Sequence, residues 1–139
     1  MPGMMDVSLN DIPDLVVLET NTECQLKIES IEHKTSENTG REFVEARMTV
    51  VGEPTAEDIY HRVFGPMDGD DEKKADRFRR RMRDFCIAYG FDPAQGIGVM
   101  LENNAAVGGI AWGVLDIEED AQYGKKNVVK SFTLPEKQQ

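Results

Sequence analysis

The chain has 139 residues, with 16 Lys and Arg against 26 Asp and Glu, a net charge of -10, and 40% hydrophobic residues. That length suits one domain whose core needs no disulfide or metal staple. No run approaches the roughly 20 apolar residues of a membrane helix, and residues 1–10 lack the basic-then-apolar pattern of a signal peptide, so a cytoplasmic protein is expected.

Cys24 and Cys86 have no metal-ligand spacing, and His33 and His61 are the only histidines, which argues for two buried reduced thiols and against zinc. The charge is segregated. KKADRFRRRMR, residues 73–83, carries seven basic residues against Asp76 alone, whereas acids crowd residues 53–58 and 116–120. One basic surface on an acidic body follows.

Residues 1–14 are expected to form a loose N-terminal segment, 15–136 the folded domain, and 137–139 a short tail. In ECQLKIESIEHK, residues 23–34, Leu26 and Ile28 alternate with polar residues, and the phase then shifts at Ser30 and Ile31, as in a bulged or strongly bent strand. SENTG supplies a polar turn. After it, Val44, Ala46, Met48 and Val50 alternate with Phe43, Glu45, Arg47 and Thr49 in a second strand, and residues 59–64 read as a third.

A helix opens near GDDEKK, where acids complement the helix dipole, and stops at Gly90. Ala75, Phe78, Met82, Phe85, Cys86 and Tyr89 share its apolar face, with Lys73, Arg77, Arg80 and Arg83 pointing away. GVMLENN reads as a helical turn, GGIAWGVLDIEED as a long fourth strand, AQYGKK as a turn and NVVKSFTLP as the fifth strand. Gly108, Gly109 and Gly113 suit sharp bending. Three strands, a helix and two strands predict a mainly β fold, a five-stranded OB-fold barrel with one helix between strands 3 and 4.

No phosphate loop, nucleophile elbow or metal-ligand spacing is present, so no enzyme and no cofactor is expected. Asp68, Asp70 and Asp71 read as an acid-rich helix start and not as a cation site. His33 and His61 read as surface or packed strand residues.

Single-stranded nucleic acid is bound by rings that stack bases beside cations that meet phosphates. Phe43, Tyr60, Trp112 and Tyr123 are the candidate platforms, with Phe43 and Tyr123 expected exposed and Trp112 left open between core and surface. Arg41, Arg47, Arg62, Lys125, Lys126 and Lys130 are the candidate phosphate contacts. The arginines of the helix serve either as a solvated face or as a groove edge or partner site.

Three stretches carry a family likeness. TECQLKIESIEHKTSENTGREFVEARMTVVG resembles the opening hairpin of small bacteriophage single-stranded DNA-binding proteins, RFRRRMRDFCIAYGFDP their helix, and AAVGGIAWGVLDIEEDAQYGKKNVVKSFTLPE their closing hairpin. The resemblance implies an OB fold, protection of single strands during phage replication or recombination, and contacts with other replication proteins. SFTLPEKQQ lacks the acidic tip that many such proteins use for recruitment, and Thr22 and Glu23 stand where the family commonly has Gly before Glu or Tyr. The alternative expectation is a protein-interaction or virion-assembly module, whose acidic body docks a basic partner and whose strand edges pair between copies into a homo-oligomer.

Overall fold

Successive side chains of a strand point to opposite sides of a sheet. In the computed structural model, which describes residues 3–122 and 124–135, one phase of each strand turns to a shared interior. The strands are β1 (Glu23–Thr35), β2 (Glu42–Val50), β3 (Ile59–Phe64), β4 (Ile110–Asp120) and β5 (Gly124–Phe132), with α1 (Glu72–Ala88) between β3 and β4. They form one antiparallel sheet in the order β3-β2-β1-β4-β5.

β1 is the spine. Its pairing with β2 steps from Ile28↔Met48 to Ser30↔Arg47, so Glu29 is bulged and Ile31 returns to the interior beside Leu26 and Ile28. The first part of β1 also pairs with β4, where Gly113 lies opposite Cys24. A Cβ on Gly113 would stand 2.7 Å from Leu26 Cδ1, so any side chain there would force the buried Leu26 to shift.

Asp71 caps α1 by accepting a hydrogen bond from the Lys74 backbone N–H at 2.7 Å, the acid-rich helix start expected from the sequence. Phe85 and Cys86 are fully buried, with Met82 and Tyr89 packed around them. The Tyr89 hydroxyl donates to the Leu26 carbonyl at 3.1 Å, tying the helix end to β1.

The sheet is not closed. Its edge strands β3 and β5 approach until the His61 and Phe132 rings meet edge to face at 5.3 Å, yet no hydrogen-bonded ladder joins them among the described residues. The expected barrel therefore stops at a seam. Phe85 lies 5.7 Å from both rings, so the seam is filled by side chains where a closed barrel would have paired backbones.

Residues 16–18 bridge the same two sides. Val16 pairs in parallel with Ala56, ahead of β3, while the Leu18 N–H donates to the Asn127 side chain at 2.8 Å and the Leu18 carbonyl accepts from it at 2.8 Å. Asn127, on β5, thus offers a side-chain amide where a neighbouring strand would offer backbone.

Three details differ from the sequence reading. β5 begins at Gly124, because Lys125 and Lys126 pair in register with Glu119 and Glu118 and extend the ladder through the expected turn. GVMLENN forms parts of two 3-10 turns, Ile97–Met100 and Glu102–Asn104. Cys24 is only partly buried, since it sits near the start of β1. No helix among the described residues is long and apolar enough to cross a membrane.

Candidate nucleic-acid interface

The strand phase opposite the core forms an outer face across β4, β1, β2 and β3. Trp112 stands opposite Gln25, Ile110 opposite Lys27, Lys27 opposite Thr49, Arg47 opposite Tyr60 and Glu45 opposite Arg62. Tyr60 is 57% exposed and Trp112 49%, values that leave a ring free to stack. Three strand spacings separate them, roughly 14 Å across the sheet. They cannot sandwich one base and would instead stack two separate ones.

Cations share this face, each with a carboxylate beside it. Arg47 Nη1 is 2.9 Å from Asp58 Oδ2, and this hydrogen bond holds the Arg47 proton more firmly than usual. Lys34 and Arg62 grip opposite oxygens of Glu45 at 2.7 and 2.8 Å. The hydrogen bond from Lys34, with a further one from Arg62, keeps the Glu45 carboxyl below its ordinary range against the opposing effect of burial. The Arg47–Asp58 pair is exposed on both sides and therefore weak, so a phosphate can replace Asp58 at little cost.

Phe43 belongs to this face by phase but is only 8% exposed, which corrects the expectation of an open platform. Phe64 packs against it at 5.0 Å between ring centres, and the Arg62 guanidinium covers it at 5.2 Å. The alternation of the strand gave the side it faces, and the neighbours that cover it come from β3.

Arg41 lies off the face. Its guanidinium makes two 2.8 Å bonds to Asp70, one of 3.0 Å to the Gly65 carbonyl, and sits 4.2 Å from the Phe78 ring centre. Hydrogen bonds from Arg41 and from the Met67 backbone hold the Asp70 carboxyl far below the usual range. Arg41 fastens the β1–β2 turn to the approach of α1, leaving no fork for a phosphate.

Lys125 and Lys126 stand exposed at the start of β5, with Lys126 3.8 Å from Glu118. Lys130, also exposed, donates to the Asn21 side chain at 3.1 Å. Tyr123 lies outside the described residues. Of the ten expected residues, Tyr60, Trp112, Arg47 and Arg62 share the outer face, and Phe43 lies beneath it.

Sequence reasoning missed Lys27, Lys34 and Ile110 as members of the face. Lys27 and Ile110 were legible in principle, since each stands one or two positions from a core residue of known phase. A cavity of about 230 Å³ opens beside Trp112, Gln25, Val51 and Leu18. It adds room at the edge of the ring. His61 is 5.7 Å from Phe85 between ring centres and burial pushes its pKa from 6.5 to about 4, so this partly buried residue is uncharged at neutral pH. His33 pairs with Glu42 at 2.9 Å on the surface.

No protein-family model and no curated protein matches the chain.

Proposed function

We propose that the protein binds single-stranded DNA along the outer face of its sheet, with little sequence preference and without catalysing a reaction. The observation that carries this reading is the exposure of Tyr60 and Trp112 on one face, with Lys27 and Arg47 between them and Arg62 beside Tyr60. Stacking tolerates any base, and the cations meet phosphates of the same strand.

The strand order and the helix after β3 support an OB-type fold, in which β3 and β5 are the strands that would close the barrel. The likeness to phage single-stranded DNA-binding proteins supports a role in protecting single strands during replication or recombination, with other replication proteins as partners.

The deciding experiment titrates Trp112 fluorescence with a pyrimidine oligonucleotide and with duplex DNA at several salt concentrations. Quenching by the single strand alone, weakening as salt rises, is the expected result. Absence of quenching together with absence of a gel shift would overturn the reading.

A second reading draws on the same face. Arg47, Arg62 and Lys34 all stand beside carboxylates, and the chain carries a net charge of -10, features that favour a protein-interaction module docking a basic partner. In that case, gel filtration with and without oligonucleotide gives the same elution volume.

A further inference from the structure

The arm that precedes Val16 carries Met4, Met5, Val7, Leu9, Ile12 and Leu15, which are 54 to 89% exposed. Every residue from 3 to 16 is exposed, so the chain covers none of these side chains with its own fold. Contiguous exposed apolar residues mark association surfaces. The arm also carries Asp6, Asp11 and Asp14 and no Lys or Arg, so its partner should be apolar and basic.

A groove of that chemistry lies along α1. A cavity of about 530 Å³ lies between α1 and the turns that follow it, with Arg79, Arg80 and Arg83 on its rim and Met82, Pro93 and Ile97 in its wall. Asp76 also lines it and lies 3.4 Å from Arg79, while Arg83 is 3.2 Å from Asp84. Arg80 has no ion pair within 4 Å among the described residues.

The reach is sufficient. Twelve extended residues span at most about 40 Å, and the 17 residues of α1 measure about 25 Å.

We propose that the N-terminal arm of one copy docks in the α1 groove of a second copy, joining copies head to tail. Apolar side chains of the arm enter the groove beside Met82, Pro93 and Ile97, and its aspartates meet the arginines of the rim. Such a contact uses different surfaces on the two partners, so each copy keeps a free arm or a free groove for the next. The inference stands apart from the nucleic-acid reading, because neither the arm nor the groove belongs to the outer face of the sheet.

The test is sedimentation velocity of the full chain over a concentration series, with two charge-reversed variants. One carries Asp11→Lys and Asp14→Lys in the arm, the other Arg80→Glu and Arg83→Glu in the groove. All four positions are at the surface, and circular dichroism confirms that both variants fold. The native chain is expected to rise from the mass of one chain to two or more, with each variant alone staying at one.

An equal mixture of the variants then assembles again as the native chain does, in alternating copies, since the native arm meets the native groove and the reversed arm meets the reversed groove. Placing all four reversals in one chain restores assembly. A native chain that stays at one chain throughout overturns the proposal, including the case where the arm is protected from protease by its own groove. Assembly of either variant alone at the native level, or a mixture that stays at one chain, overturns it equally.

Discussion

The Arg62 guanidinium stands 5.2 Å from the centre of the Phe43 ring while its Nε holds Glu45 at 2.8 Å. The cation is therefore both the lid of a buried ring and an exposed charge of the outer face. Arg62→Ala should weaken oligonucleotide binding about 3- to 10-fold through the lost phosphate contact, consistent with about 1 kcal/mol for an exposed charge. Phe43→Ala should instead lower stability by about 3 kcal/mol, as buried Phe truncations do. Denaturant melts and binding isotherms on both variants check this, and a fully stable Phe43→Ala protein would contradict the packing described.

On the proposed reading, Tyr60 and Trp112 would stack on separate bases, because three strand spacings lie between them. Each Ala substitution should cost about 1 to 3 kcal/mol of stacking, about 5- to 150-fold in Kd, with melting unchanged within a few degrees. The double variant should show the sum of the two losses, since distant sites add. Anisotropy titrations with a labelled pyrimidine strand measure all three. Undiminished affinity in folded Tyr60→Ala would remove that ring from the site.

Arg41 makes the opposite prediction. Its contacts run to Asp70, Gly65 and Phe78, so Arg41→Ala should lower the thermal midpoint by several degrees and leave the affinity of the folded protein for oligonucleotide unchanged. A drop in affinity with no loss of stability would place Arg41 on the binding path after all. Differential scanning calorimetry paired with a titration at low temperature separates the two effects.

His61 sets a pH dependence. In the unfolded chain it takes up a proton near pH 6.5, whereas in the folded protein burial delays this to about 4. Between those values the unfolded state holds more protons, so stability is full above pH 6.5 and is lost as the pH falls towards 4, by on the order of 3 kcal/mol. Urea denaturation at pH 7.5 and pH 4.5 should show the loss, and His61→Phe should remove most of it. Equal acid sensitivity in the variant and the native protein would show that other groups govern it.

Local patterning made much of this legible in advance. The phase shift at Ser30 marked the bulge in β1, the alternation along residues 43–50 marked the two faces of β2, and the spacing of Phe85, Cys86 and Tyr89 marked the buried side of α1. What could not be read was set by partners distant in sequence. Arg41 looked available until Asp70, 29 residues away, came to lie against it. Phe43 looked open until β3 brought Phe64 and Arg62 over it. Closure of the sheet failed as an inference for the same reason, since strand order follows from element order but the meeting of β3 and β5 depends on how His61, Phe85 and Phe132, from three elements, share one gap.

The pairing of Leu18 with Asn127 joins positions 109 residues apart. The two hydrogen bonds that Asn127 makes with Leu18 await the arrival of that last strand. During synthesis, β1 to β4 and α1 can assemble as soon as they emerge, but the segment ahead of them has no Asn127 to hold it until nearly the whole chain has been made. Val16 can pair with Thr55 and Ala56 early, whereas Leu18, two residues on, is fastened only when β5 is complete.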